Sequence, residues 1–394
     1  MDNVKQKISD YIDRKRAYIT SMADDIFEHP EIGFNEFYAC ELLTNELRRN
    51  KFSVETGIAG LETAFRGIYQ SGTGGPSIGL LCEYDALAEI GHGCGHHMQG
   101  PAILGAAFAI KELLGGENYK LVVYGTPAEE TEGGKINMQE QGCFNDIDVA
   151  LMMHAAPTTT TDVKCMAMSS FNVTFGGKSA HAALMPDEGR SALDAILLSC
   201  NGIEFLREHV KEDTRLHYTI LNAGGASNVV PAKAEAEFCM RSYNSAYLEK
   251  VIERVENVIK GAALMTGTTY SIKKLPTYKS KVPVFALNKI LMDNANIVNA
   301  PTIRPTREKT GSTDFGNVMY NIPGACIRVA FVPEGTSSHS KEYIKAGKTK
   351  AAHDCAIYAA KILAYTCHDL IIDSILMKEV TSEFESTKAK MENE

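Results

Sequence analysis

Apolar strands alternate with helices in the first and last thirds of this 394-residue chain, and this alternation constrains the fold most strongly. Apolar runs at residues 77–82, 120–124 and 148–154 predict strands, and a small-residue apolar segment at 101–114 predicts a helix between the first two. Helices between successive strands require crossover connections, which produce a largely parallel sheet covered on both faces. The sequence therefore predicts an α/β fold.

The pattern changes near residue 168. Between residues 171 and 274 the predicted order is strand, helix, strand, strand, helix, strand, which is typical of a ferredoxin-like α+β unit. Helix and strand alternation then resumes and ends in a long helix from about residue 349. We predict a split α/β domain, residues 1–167 and 280–394, interrupted by an α+β domain at 168–279. We expect the charged last residues, 382–394, to be frayed.

The composition argues against several classes of partner. The net charge is −9 and the sequence has no polybasic block, so we expect no nucleic acid partner. No apolar run approaches the roughly 18–20 residues that span a bilayer, so we expect no membrane partner.

The N-terminal residues and the cysteines bear on the cellular compartment. The first residues are polar, whereas a signal peptide has an apolar segment there. The ten cysteines do not have the spacing of a disulfide framework. Reduced thiols and a cytoplasmic location are expected.

The densest polar signal follows the strand predicted at residues 77–82. Three histidines and one cysteine lie between glycines in the run Gly91-His92-Gly93-Cys94-Gly95-His96-His97. Such a loop offers nitrogen and sulfur ligands on a backbone that can fold tightly around an ion. The alternative is a solvated loop that is rich in histidine by chance.

Two adjacent carboxylates, Glu129 and Glu130, follow the strand predicted at 120–124. At a strand end one of them can bind an ion while the other accepts a proton from water. The alternative is an acidic helix N-terminus, where carboxylates favour the helix dipole. Two single histidines add weaker signals: His154 ends the strand at 148–154, and His339 follows the strand at 325–331.

These four signals share one position in the predicted fold. Each lies at or beyond the end of a strand, where functional groups of open parallel sheets gather. Cysteine, histidine and carboxylate ligands together suit zinc, manganese or cobalt and do not suit magnesium or calcium alone. Five or six ligands exceed the four of a closed structural zinc site, so the sequence favours two divalent metal ions that share a water.

The same motifs make the chain similar to the M20 family of metallopeptidases, and within it to the amidohydrolase branch of aminoacylases, hippurate hydrolases and auxin-conjugate hydrolases. The resemblance covers essentially the whole chain and leans towards Xaa-Arg dipeptidase-like proteins and aminobenzoyl-glutamate hydrolases. The matching segments are 28–34, 83–87, 93–96, 127–130, 177–181, 228–231 and 311–318, together with His154 and His339.

The resemblance implies hydrolysis of an amide bond in a small dipeptide or N-acyl amino acid. It implies two divalent metal ions (zinc, manganese or cobalt) held by five ligands: Cys94, His96, Glu130, His154 and His339. Glu129 would be the general base that activates the metal-bridged water. Asp85 would orient a metal ligand. His97 stands where the family commonly has Asp or Asn, which leaves open whether His97 ligates a metal.

The resemblance also assigns roles in the inserted domain, where the residues alone suggest none. The domain would be a lid that dimerises, so a homodimer is expected. His181 would reach the partner's active site and stabilise the oxyanion. Asn228 and Arg241 would contact the substrate carboxylate or the developing charge.

Two rival functions remain at this point. One is a deacylase for N-acyl amino acids, of the aminoacylase or hippurate type, rather than a dipeptidase. The other is a non-catalytic binding protein on a peptidase scaffold. The second is disfavoured because every matched ligand position holds a residue able to bind a metal.

Overall fold

The computed structural model describes residues 3–394 and divides them into two compact units. Residues 3–165 and 281–389 form the large unit, and residues 166–280 with 390–394 form the inserted unit. The predicted boundary after residue 167 lies two residues beyond the observed boundary after residue 165. The predicted boundary after residue 279 lies one residue before the observed boundary after residue 280. The last five residues were predicted to belong to the large unit but group with the inserted one.

The strands are β1 (Ser53–Thr56), β2 (Phe65–Ser71), β3 (Ser77–Cys82), β4 (Tyr119–Gly125), β5 (Val149–Ala156), β6 (Thr160–Cys165), β7 (Ala167–Gly176), β8 (Arg215–Asn222), β9 (Lys233–Ser242), β10 (Thr269–Lys274), β11 (Arg307–Thr310) and β12 (Gly324–Ala330). The helices are α1 (Asn3–Arg14), α2 (Arg16–Glu28), α3 (Phe37–Arg49), α4 (Gln99–Leu113), α5 (Gly134–Glu140), α6 (Ala192–Arg207), α7 (Ser245–Thr266), α8 (Phe285–Ile297), α9 (Phe315–Met319), α10 (Lys341–Ala346), α11 (Lys350–Ile372) and α12 (Ser374–Asn393).

The large unit contains an eight-stranded sheet in the order β1-β2-β4-β3-β5-β12-β6-β11. Its centre, β4-β3-β5-β12, is parallel, and antiparallel pairs join it to β2 and β6. The central strands are almost wholly buried, as expected for strands covered on both faces. The predicted α/β class with a mostly parallel sheet is confirmed. Because β3, β4, β5 and β12 run in the same direction, the segments that follow them meet at one edge.

The inserted unit contains a four-stranded antiparallel sheet in the order β10-β7-β9-β8. Apolar residues of α6 and α7 pack on one face of it and form a separate core around Phe171, Phe175 and Phe238. Strand β9 alternates between buried and partly exposed residues because only one face is covered. The predicted α+β order is observed.

Three sequence-based expectations differ from the structure. The apolar residues across 4–27 recur at helical spacing and predict one helix, but Lys15 leaves helical geometry with φ −92° and ψ 4° and separates α1 from α2. Residues 382–393 are helical rather than frayed, because Phe384 is buried and the Glu383 carboxylate accepts hydrogen bonds from two backbone N–H groups at the start of α8. Helix α11 is long and apolar enough to cross a membrane, although 72% of its most apolar window is buried in the protein.

Candidate metal centre

Three segments that follow or end parallel strands converge on one site. Cys94 and His96 lie in the loop after β3, His154 lies in β5, and His339 lies after β12. The loop after β3 turns at Gly95, whose φ of 87° favours glycine and whose added Cβ would lie 2.8 Å from the Cβ of Ala155. The His339 N–H donates to the Gly93 carbonyl at 3.0 Å, which joins two of these segments directly.

The predicted metal ligands approach each other closely. Cys94 Sγ lies 3.5 Å from His154 Nε2, and His339 Nε2 lies 3.1 Å from Glu130 Oε1. Candidate ligand atoms of Cys94, His96 and His154 lie within 4.8 Å of one another, and so do those of Cys94, Glu130 and His339. The two sets share Cys94, which is the arrangement expected for two neighbouring ions.

The surroundings of these side chains fit a cation. His96 is fully buried and its Nε2 makes no hydrogen bond, although it lies 3.3 Å from Glu83 Oε2 and 3.9 Å from Glu130 Oε1. Burial raises the pKa of the Cys94 thiol to about 12, so a thiolate there requires a nearby cation. Burial, followed by the charge of Arg328, lowers the pKa of His154 to about 3, which keeps its imidazole neutral and able to ligate.

The predicted orienting residue, Asp85, contacts two of the predicted ligands. Its Oδ1 lies 3.0 Å from His96 Nδ1, and its Oδ2 accepts the backbone N–H of Glu130 at 2.9 Å. The first contact fixes the ring so that Nε2 points into the ligand set. Asp85 therefore lies where it can orient His96, and its role stays a prediction.

Glu129 occupies a turn that the chain holds in an unusual conformation. Ala128 before it has φ 60°, which costs a non-glycine residue on the order of 1–2 kcal/mol. The Glu36 carboxylate accepts the Ala128 N–H at 2.8 Å, and the Thr313 hydroxyl donates to Glu129 Oε1 at 3.1 Å. Burial and then the charge of Glu83 raise the pKa of Glu129 well above its ordinary value, which improves it as a proton acceptor.

A buried ion network that the sequence pattern did not predict lies beside this turn. Lys135 Nζ lies 2.6 Å from Glu83 Oε1 and 2.6 Å from Asp314 Oδ1, and all three residues are almost fully buried. Candidate ligand atoms of Glu83, Asp314 and Glu129 lie within 4.8 Å of one another. Glu83 and Asp314 belong to motifs that carry the family resemblance, but the isolated Lys135 between glycines and Ile136 carried no signal.

His97 lies outside the four groups of candidate metal ligands found in residues 3–394. Its Nε2 is 2.9 Å from the Gly347 carbonyl, and its ring packs edge-on against Phe27. Burial lowers the pKa of His97 to about 3. These contacts are those of a buried structural histidine.

The remaining predicted residues lie in the inserted unit. His181 is exposed, forms an isolated bridge with Val229, and accepts the Ala183 N–H at its Nδ1. Asn228 is exposed, and its carbonyl accepts the Ala182 N–H at 3.0 Å. Arg241 is half-buried in β9. The structure brings His181 and Asn228 onto adjoining segments, and the roles of all three residues stay predictions.

A known family and several known proteins are similar in sequence to this chain. A family profile described as the peptidase dimerisation domain (M20_dimer) matches residues 167–265. The sequence is 32% identical to one of the p-aminobenzoyl-glutamate hydrolase subunits of Escherichia coli (strain K12), over 97% of this chain and 95% of that protein. It is 31% identical to Xaa-Arg dipeptidase of Homo sapiens, over 100% of this chain and 94% of that protein.

A solved structure shows the same fold. A Bacillus subtilis protein described as a dinuclear metal-binding peptidase of the M20 family superposes with a TM-score of 0.70 at 20% identity. The match covers 89% of this chain and 98% of that one. The match therefore includes residues of both units.

Proposed function

The chain belongs to the M20 family of metallopeptidases and amidohydrolases, and on that premise we propose that it hydrolyses the amide bond of a small dipeptide or N-acyl amino acid. One observation carries the proposal: a carboxylate with a raised pKa, Glu129, lies next to two overlapping sets of metal ligands that share Cys94. This combination supplies both a proton acceptor and a Lewis acid at one site.

The five ligands described above would hold two divalent ions, and these ions would supply Lewis-acid chemistry: polarisation of a scissile carbonyl and a lower pKa for water. Glu129 accepts a proton from the attacking water as the water oxygen bonds to the carbonyl carbon. It then returns that proton to the amine nitrogen as the carbon–nitrogen bond breaks. Thr313 keeps the base oriented through its hydrogen bond to Oε1. We propose zinc, manganese or cobalt, because a cysteine and three histidines are poor ligands for magnesium or calcium.

A substrate panel tests this function. The purified protein is loaded with each metal and offered an Xaa-Arg dipeptide, an Xaa-Lys dipeptide, p-aminobenzoyl-glutamate, and N-acetyl and N-benzoyl amino acids. Cleavage of the dipeptides favours a dipeptidase, whereas cleavage of only the N-acyl compounds favours the deacylase. Near-zero metal content together with no cleavage of any compound would favour the non-catalytic alternative and refute the proposal.

We also propose a homodimer formed through the inserted unit. Strand β8 is an edge strand whose residues are almost all exposed, including Tyr218, Ile220 and Leu221. An exposed apolar edge of this kind favours pairing with a second copy. The Escherichia coli relative is named as one subunit of a hydrolase, so light scattering of the purified chain should distinguish self-association from a need for a different subunit.

A reducing compartment, the cytoplasm, is proposed for the protein. All ten cysteines are unpaired, and eight of them are buried. Unpaired, buried thiols are typical of proteins that do not depend on disulfides.

A further inference from the structure

A cluster of two arginines and one aspartate forms part of the wall of the cavity that contains the metal ligands. The cavity has a volume of about 510 Å³, which is in the range of small-molecule sites. Cys94, His154 and His339 line it together with Asp162, Arg307 and Arg328. All of these residues belong to the large unit.

The strand order builds this arginine cluster. Strand β6 lies between β12 and β11, so Asp162 of β6 has Arg328 on one side and Arg307 on the other. Arg307 Nε lies 2.7 Å from Asp162 Oδ1, and Arg328 Nε lies 2.8 Å from Oδ2. One carboxylate therefore pairs with two guanidinium groups, so the cluster has a net positive charge.

The η nitrogens of both arginines are available as hydrogen-bond donors. Each guanidinium uses its Nε on Asp162, and neither set of η nitrogens donates to any side chain or carbonyl among residues 3–394. The Arg307 side chain is 42% exposed and that of Arg328 is 21% exposed. Two η nitrogens in the plane of a guanidinium match the two oxygens of a carboxylate.

The cluster lies next to the ligand set. Arg328 is the Cα partner of His154 in the parallel pair β12–β5, so their side chains leave neighbouring strands on the same face of the sheet. A substrate held at the metal ligands would therefore have one end within reach of the arginines.

We infer that Arg307 and Arg328 form a subsite for an anionic side chain of the substrate. The inference rests on the proposed amide hydrolysis and narrows its substrate class to acidic N-acyl amino acids and dipeptides with an acidic residue. The η nitrogens bind the side-chain carboxylate, and the surplus charge repels cationic side chains. If the arginines served only to join the strands, no such preference would exist.

Three matched substrates test the subsite: N-benzoyl-glutamate, its neutral isostere N-benzoyl-glutamine, and the cationic N-benzoyl-arginine. For the metal-loaded protein we expect kcat/KM to fall in that order, with glutamate favoured over glutamine by roughly tenfold or more, the usual size of a charge-assisted contact. Arg307→Met should reduce this ratio to about one, and Arg307→Lys should retain part of it. The control Arg304→Met, at an exposed arginine paired with Glu334, should preserve the ratio.

Binding measurements separate this inference from the proposed function. Calorimetry on the metal-loaded Glu129→Gln variant should show roughly tenfold tighter binding of benzoyl-glutamate than of benzoyl-glutamine, whether or not hydrolysis occurs. A preference in binding without cleavage of any substrate by the unmodified protein would refute hydrolysis and support the subsite. Equal binding of the two compounds, or equal losses for both on Arg307→Met, would overturn the subsite while leaving hydrolysis intact.

Discussion

The large unit and the inserted unit place most of their candidate functional residues in different surroundings, and His339, with a side chain that is 46% exposed, is the exception in the large unit. In the large unit these side chains hydrogen-bond to one another, as Asp85 does to His96 and Thr313 does to Glu129. In the inserted unit His181 and Asn228 are exposed, and they accept hydrogen bonds from backbone N–H groups of residues 182–185. A substitution at a buried group that hydrogen-bonds to another functional group should change stability and pKa values as well as activity. A substitution at an exposed group can change activity alone.

The pKa shifts of buried and exposed carboxylates differ in their leading cause. Burial is the leading cause of the raised pKa of Glu36 and Glu129 in the large unit. In the inserted unit the lowered pKa of Glu188 comes first from its hydrogen bond to the exposed Lys178. Carboxylates of the large unit should therefore dominate the pH dependence of the protein, and substitutions at four positions test this contrast.

The largest expected effect is loss of the base. Glu129→Gln should keep bound metal, because the five ligands remain, and should lower kcat by on the order of 1,000-fold or more by removing the proton acceptor. Steady-state kinetics combined with metal analysis by mass spectrometry measures both quantities. Substantial residual turnover would refute the assignment of Glu129 as the base.

The next largest effect concerns the buried ion network. Lys135→Met keeps the aliphatic stem but leaves Glu83 and Asp314 without a counter-charge, which should reduce the free energy of unfolding by about 3–5 kcal/mol. Urea denaturation measures the loss. Lys289→Met removes a lysine from an exposed pair with Asp293 and should leave the transition unchanged. Equal losses of unfolding free energy for Lys135→Met and Lys289→Met would show that the buried and the exposed lysine contribute alike to stability.

In the inserted unit, His181→Ala should lower kcat by roughly 100-fold, the usual cost of one oxyanion donor, without changing the thermal midpoint. The exposed His209 of the same unit provides the control, and His209→Ala should leave both quantities unchanged. A lower midpoint for His181→Ala would indicate a structural role instead.

Mixing the Glu129→Gln and His181→Ala proteins tests whether His181 acts in the partner's site. Random exchange should restore about a quarter of wild-type activity, because half of the dimers are mixed and each mixed dimer has one complete site. If His181 acts within its own chain, no mixed dimer contains a complete site and activity stays at the level of the separate variants.

The smallest effect is a pH dependence centred on Glu36. Burial raises the pKa of this carboxyl from 4.5 to about 7, so its contribution to stability is fully present below about 4.5 and is lost as the pH rises through about 7. Glu36→Gln should therefore become more stable relative to the wild type across this window, by on the order of 1–3 kcal/mol. Urea denaturation of both proteins from pH 4.5 to 8 measures the difference. A difference independent of pH would exclude the titration of Glu36.

The secondary structure and the order of the motifs were predictable because both depend on local pattern. The continuous apolar run at 77–82 predicts β3 with its bounds, and the strand and helix order of the inserted unit follows from the periods of its apolar residues. Strand β6 was not predicted, since Thr160–Cys165 lacks an apolar run and is held in the sheet by β12 and β11 on either side.

The sequence by itself determined which residues can ligate a metal and where they stand relative to strands, because residue type and the parallel sheet place strand-end groups at one edge. Only the tertiary structure decided which of them lie close enough to share an ion, since the contact between Cys94 and His154 spans 60 residues of chain. It also decided the place of Lys135, whose partner Asp314 lies 179 residues away. A buried charge is stabilised by groups that the fold brings next to it. For Lys135 these groups are distant in sequence, so the residues around Lys135 do not predict them.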